Sequence, residues 1–273
     1  MDGARTLTRE MRVILWISTF FVFVAGVQLY LLSGETDDWF AWTIQPPLTA
    51  AFLGAFYFAS VAITLGGLRE QVWDRAGVAI PGVIVFVWAM LGATVLHLDK
   101  FHHDDGDLVP AFAAWVWLAV YFLEPPVLLW LYRRQVAAPG GESPCTPDVP
   151  GWFGWVWKGW GALLIVIGLV LFIAPDTADE LWPWTLSPLT ARAVSATLLG
   201  VGAVAIAVGR QRCLVRMRWP LVAILTMGTL VAVALLRYPD TFDAGGTAGV
   251  CFIVVLAVML AASLYGLIAE RRV

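Results

Sequence analysis

The sequence predicts an all-α fold: a polytopic integral membrane protein with eight transmembrane helices, built as two tandem, parallel four-helix repeats. Three observations carry this. Apolar residues make up 60% of the chain and charged residues 14%, against roughly 25% charged in soluble domains, and mean hydropathy is +0.80. Eight apolar runs follow one another, each of about 20 residues and so long enough as a helix to cross a hydrocarbon core of about 30 Å. A phrase rich in Trp, Pro and Thr is written twice, before the second run and before the sixth. The runs are unbroken rather than alternating, which favours helices over a closed barrel.

The runs cover residues 12–33, 48–68, 77–98, 108–132, 156–174, 188–208, 217–236 and 246–268. The first follows Arg5, Arg9 and Arg12. At about 22 residues it exceeds a signal-peptide core of about 7–15, and no small-residue cleavage site follows, so it reads as a retained helix. The second starts just after Pro47 and the sixth at Pro188, both within the repeated phrase. The third leads into "LHLDKFHHDDGD", Leu96 to Asp107, and the fourth contains "YFLEPPVLLW", Tyr121 to Trp130. A Pro- and Gly-rich stretch, 135–151, reads as a flexible linker between a first unit, 1–134, and a second, 152–273.

Arginine sets the orientation. Arg69 and Arg75, Arg133 and Arg134, Arg210 to Arg218, and Arg271 and Arg272 fall on one side with the N-terminus. The alternate loops carry acids, among them Asp37, Asp38, Asp99, Asp107, Asp176 and Asp240. The positive-inside rule then places both termini in the cytoplasm of an inner membrane. The Arg210–Arg218 segment is expected to meet anionic lipid headgroups. Nothing supports nucleic-acid binding. Cys145 and Cys213 fall on the arginine side and Cys251 within the last run, so no disulfide is expected. The abundance of Arg, Ala, Gly and Val resembles the usage of GC-rich bacterial genomes.

The repeat aligns Trp42-Thr43-Ile44-Gln45-Pro46-Pro47-Leu48-Thr49-Ala50 with Trp184-Thr185-Leu186-Ser187-Pro188-Leu189-Thr190-Ala191, with one extra proline in the first copy. Trp16 aligns with Trp157, Arg69 with Arg210 and Arg75 with Arg216; the Arg133-Arg134 pair answers Arg271-Arg272. An even number of helices per copy implies a rotation axis along the membrane normal. Ser187 and Pro188 read as an N-cap and first helical residue, with Thr190 adding a bond in the first turn. Trp39, Trp42, Trp182 and Trp184 read as interfacial anchors at headgroup depth. The alternative is an anion site at the two helix N-termini, strengthened by Arg192. Gly200, Gly202 and Gly209 are spaced for close helix packing.

Two features occur in the first unit alone. Glu124 lies roughly 22 Å along the fourth helix, a depth at which a carboxylate is costly unless paired or neutralised. Pro125 and Pro126 remove donors from the carbonyls of Tyr121 and Phe122 and are expected to break the helix there. Glu124, with Tyr121 and Trp117 on the same face, is a candidate proton or cation site. The second feature gathers all three histidines. If the third helix continues outward, Asp99, His102 and His103 share a face, and with His97 they form a candidate site for a divalent metal such as zinc.

Three functions fit these residues. The first is binding or transport of a small molecule or ion between two pseudo-symmetric halves, using Glu124, Tyr121, Trp117, Thr190 and Arg192. The second is a membrane scaffold or accessory subunit with a membrane-protein partner. The third is a metalloprotein or enzyme using His97, Asp99, His102 and His103. Walker, nucleophile-elbow and HExxH motifs are all missing, so catalysis has the least support.

Overall fold

The computed structural model describes residues 3–104, 106–145 and 148–272, apart from the side chains of Asp104 and Asp179. Among these residues the chain is 78% helix, without strands. The main helices are α1 (Arg9–Leu31), α2 (Pro47–Arg69), α3 (Ile80–Val95), α4 (Leu108–Ala137), α5 (Gly151–Ile173), α6 (Pro188–Gly209), α7 (Leu214–Arg237) and α8 (Thr247–Glu270). Their starts follow local chemistry. The Thr8 side chain accepts from the Met11 amide, and Ser187 does the same for Thr190. Pro47 and Pro188 open α2 and α6 where a missing N–H costs nothing.

Seven of these helices are long and apolar enough to cross a membrane; α3 is not. Its 16 residues span only about 24 Å. The expected run lost residues at both ends. Trp73–Ala76 forms a separate turn before it, and the chain after Val95 tightens into 3₁₀ turns at Leu98–Lys100 and His102–Asp104. The short helix packs along α6 and α4, so protein rather than its own length covers its backbone.

α2 and α6 lie at the centre and are the most buried helices. α1 packs on α2, and α5 on α6. The third helices cross over: α3 packs on α6, and α7 on α2. α4 then lies on α3, and α8 on α7. Glycine makes the α5–α6 contact close. A Cβ on Gly202 would stand 2.8 Å from the Gly161 carbonyl oxygen, and one on Gly209 would stand 2.7 Å from that of Gly154. Both backbones therefore touch without intervening side chains.

The arginine-rich end is tied down. The stretch expected as a flexible linker is held instead: Arg5 Nε donates to the Ala138 carbonyl, Ser143 donates to Asp74, and the Leu214 amide donates to Asp148. Arg216, only 12% exposed, pairs with Asp74 at 2.9 Å and with Glu142 at 2.7 Å. The fold-back of Asp148 onto Arg212 and Leu214 carries Cys145 to Cys213, and the two form a disulfide with Cα atoms 6.3 Å apart. This corrects the expectation of free thiols. Thr146 and Pro147 of the linker lie outside the described residues.

At the acidic end the repeated phrases turn inward. Trp42, Trp182 and Trp184 are buried and only Trp39 is exposed, so three of the four expected headgroup anchors are core residues. Trp182 and Trp184 pack edge-on against each other and against Phe52 and Phe252. Trp42 packs on Phe40, Phe101 and Trp117. Trp184 Nε1 donates to Thr49 Oγ1 at 2.8 Å, joining one phrase to the other.

Candidate functional site

α4 carries Trp117, Tyr121 and Glu124 at helical spacing, so one face presents an indole, a phenol and a carboxyl in succession. That face turns toward α1, α2 and α3. A cavity of about 200 Å³ lies among these four helices, with Ser18, Tyr57, Phe86, Trp117, Tyr121 and Glu124 in its wall. Phe40, from the first Trp-Pro-Thr phrase, also lines it. The three α4 residues named from sequence are therefore brought together.

Polar contacts fix the wall. Ser18 Oγ donates to Glu124 Oε1 at 2.9 Å. The Tyr57 and Tyr121 hydroxyls share a bond of 2.5 Å. Trp117 Nε1 donates to Thr94 Oγ1 at 3.1 Å, and the Trp117 ring lies 4.3 Å from that of Tyr121. Among the described residues no cationic side chain pairs with Glu124, and its hydrogen bond comes from Ser18. The carboxyl is thus oriented but uncompensated by charge.

The expected break at Pro125 does not occur. α4 runs through both prolines to Ala137, as membrane helices do when neighbouring helices support the backbone. Glu124 therefore sits inside a helix, not at its end. The prolines still withdraw the donors that the Tyr121 and Phe122 carbonyls would otherwise accept.

Arg192 and Thr190 do not line this cavity. Thr190 is buried in the capping of α6, its hydroxyl donating to the Ser187 carbonyl at 3.0 Å. Arg192 reaches back along α5: Nε donates to the Phe172 carbonyl at 3.1 Å, and Nη1 meets His97 Nε2 at 2.7 Å. Burial, then the Arg192 charge, holds the His97 imidazole below its ordinary range.

The other predicted metal ligands are placed apart. Asp99 pairs with Lys100 at 3.0 Å on the surface, and that bond first of all lowers its carboxyl below the usual range. His102 lies within 3.1 Å of Thr43 Oγ1 through Nε2 and of the Phe40 carbonyl through Nδ1. His103 stacks edge-on near Trp115. The shared face needed a third helix continuing past Val95; the 3₁₀ turns disperse it. Among the described residues no three His, Cys, Asp or Glu side chains group as metal ligands. Asp105 lies outside the described residues.

Further spaces set the first in context. α5 to α8 surround a cavity of about 130 Å³, walled by Trp160, Trp182, Leu198, Met227, Phe252 and Met259. Between the halves lie a crevice of about 30 Å³, lined by residues such as Phe56, Gly82, Gly200 and Met227, and, at the arginine-rich end, a wider space of about 460 Å³ walled by Asp74, Pro81, Ile165, Ala203 and Arg216 among others.

Ser18 and Tyr57 were not singled out from sequence. The signal was there: each is a hydroxyl within an otherwise apolar run. Such runs contain several hydroxyls that bond their own helix, as Thr19 does to the Leu15 carbonyl, and only tertiary contact separates the two kinds.

Seven helices long and apolar enough to cross a membrane are consistent with a polytopic helical membrane protein. No known family model, curated protein or solved structure matches the chain.

Proposed function

We propose that this protein binds, or moves across the membrane, a small molecule or ion held at Glu124. The observation that carries the reading is the pairing of Ser18 with Glu124 in the wall of a cavity that also presents Tyr57, Tyr121 and Trp117. A carboxyl in a membrane interior is costly and is kept where it does something. An apolar, aromatic pocket with a few converging polar groups is the usual form of a ligand site. The open interior speaks against a tightly packed scaffold, and the dispersed histidines speak against the metal reading.

The proposal includes the architecture. The reciprocal packing of α3 on α6 and α7 on α2 supports two tandem four-helix units related by a twofold axis along the membrane normal, with α3 as an eighth, short span. By the positive-inside rule the arginine-rich end faces the cytoplasm of an inner membrane, against the usual placing of a disulfide such as Cys145–Cys213, and meets anionic headgroups through the Arg210–Arg218 segment. The ligand site lies inside the first unit, and each unit keeps its own cavity.

The test is a thermal-shift panel on purified protein, using sodium, potassium, magnesium and zinc ions and small organic amines. Glu124→Gln keeps the shape of the side chain and removes its charge. Stabilisation of the wild type by at least one panel member, lost in Glu124→Gln with the unliganded melting temperature retained, is the expected outcome. A panel response identical in both proteins would remove Glu124 from the site.

A further inference from the structure

The Ser18–Glu124 pair has two sides. One faces the cavity. The other faces a groove of about 230 Å³ between α1 and α4, bordered by Ile14, Ile17, Phe21, Leu123 and Val127. Ser18 and Glu124 line both spaces. α1 packs chiefly on α2 and barely touches α4, so nothing but this hydrogen bond and its apolar flanks separates the two spaces at that level. Ile17 and Leu123 are exposed on the outer surface of the helices, roughly midway along each. The groove therefore opens to hydrocarbon rather than to water.

The chemistry of the inner side narrows what passes. The carboxyl has no cationic partner among the described residues. The cavity it faces is walled by the aromatic side chains of Tyr57, Phe86, Trp117 and Tyr121. Aromatic walls and a single carboxylate are complementary to an ammonium group. At this depth an ammonium and a carboxylate neutralise each other, where either alone is costly.

We propose that the ligand is a lipophilic amine that reaches the cavity sideways from the bilayer, between α1 and α4, with the Ser18–Glu124 hydrogen bond as the gate. This deepens the Glu124 reading and rests on it. The serine offers the carboxyl a bond that an arriving ammonium replaces. The apolar groove admits the hydrocarbon part of the molecule.

The experiment uses the full chain in lipid nanodiscs, with binding followed by tryptophan fluorescence. The probes are N,N-dimethylbenzylamine and isobutylbenzene, which share a shape and differ in the basic nitrogen. The amine is expected to bind at least tenfold tighter than the hydrocarbon, and Glu124→Gln should abolish that preference. Ile17→Trp with Leu123→Trp fills the groove without touching the cavity. It should slow amine binding at least tenfold while leaving equilibrium affinity within threefold. Leu123→Phe alone gives the same reading with a smaller change if the double variant fails to accumulate. Equal affinity for both probes overturns the amine class. Unchanged binding rates in the groove variants overturn the lateral route. If an inorganic cation binds through Glu124 and the amine does not, this inference fails while the Glu124 site stands.

Discussion

The two halves of the chain bring their first two helices together at different points: in the first half, Gly54 of α2 lies against the α1 backbone at Leu29 and Tyr30, near the acidic end. In the second half, Gly161 and Gly202 bring the backbones of α5 and α6 into contact. At the offset that aligns Pro47 with Pro188, those glycines correspond to Phe20 and Val61 in the first half. The cavities differ in the same sense. Tyr57 aligns with Leu198 and Phe86 with Met227; at the offset that aligns Arg133 with Arg271, Trp117 aligns with Val255, Tyr121 with Met259 and Glu124 with Ala262. Four of these five second-half residues line the smaller, apolar cavity. On the proposed repeat, one helical plan is filled twice, once with side chains that bond and once with side chains that pack, and the proposed ligand site lies in the half with the bonding set.

The largest effect should come from forcing the glycine seam apart. A side chain on Gly202 meets the Gly161 carbonyl and the Ile165 side chain. Gly202→Leu is expected to cost about 3 kcal/mol or more, since a backbone cannot move aside as a side chain does. Val61→Leu, at the aligned position and only partly buried, should cost less than about 1 kcal/mol. Reversible unfolding in detergent or bicelles measures both. Equal losses would mean that the two helix pairs close in the same way after all.

A smaller effect separates the two copies of the phrase. Trp42 and Trp184 are aligned and both are buried. Trp184 donates to Thr49, whereas Trp42 Nε1 has no hydrogen-bond partner. Phenylalanine at either site loses similar ring area, so the difference isolates the bond. Trp184→Phe should cost about 1 kcal/mol more than Trp42→Phe. A larger loss at Trp42 would show that its indole has a partner in the membrane-embedded protein.

What the sequence conveyed follows the range of each interaction. The start of α6 was legible because Ser187 and Pro188 act within one turn, whereas the Thr8 cap, ahead of the expected first run, was not read. Glu124, Tyr121 and Trp117 were legible as one face because helical spacing is local. The end of α3 was not, because hydropathy persists through Leu96 and Leu98 while the backbone has already turned. Ser18, Tyr57 and the Cys145–Cys213 bridge were not legible either. Each depends on a partner dozens of residues away, and the position of that partner is set by the packing of α1, α2 and α7. The buried Trp phrase misled for a related reason. An indole suits an interface and a core equally, and only the neighbouring phrase, through Thr49 and Phe52, decides between them.

The smallest effect concerns the acidic end, where each half caps the last carbonyls of its first helix with an arginine. Arg192 donates to the Phe172 carbonyl, and Arg237 donates to that of Tyr30 at 3.0 Å. The aromatic partners differ: Arg192 meets His97, while Arg237 stacks on Tyr238, the residue aligned with His97. Only the first arrangement contains an imidazole, the side chain whose ordinary value lies nearest neutrality. Burial first, and then the Arg192 charge and Lys100, hold His97 below its ordinary value, with Asp99 acting the other way. The unfolded histidine keeps a value of about 6.5. Between the depressed folded value and about 6.5 the unfolded chain binds more protons, so acid favours unfolding across that window. The stability contributed by neutral His97 is complete above about 6.5 and is lost as pH falls through the folded value. Wild-type melting temperature should therefore decline on acidification below about 6.5 more steeply than that of His97→Gln, which keeps a polar partner for Arg192 without titrating. Parallel pH profiles for the two proteins would show that the histidine meets Arg192 without feeling its charge, and would make the two arginine caps equivalent.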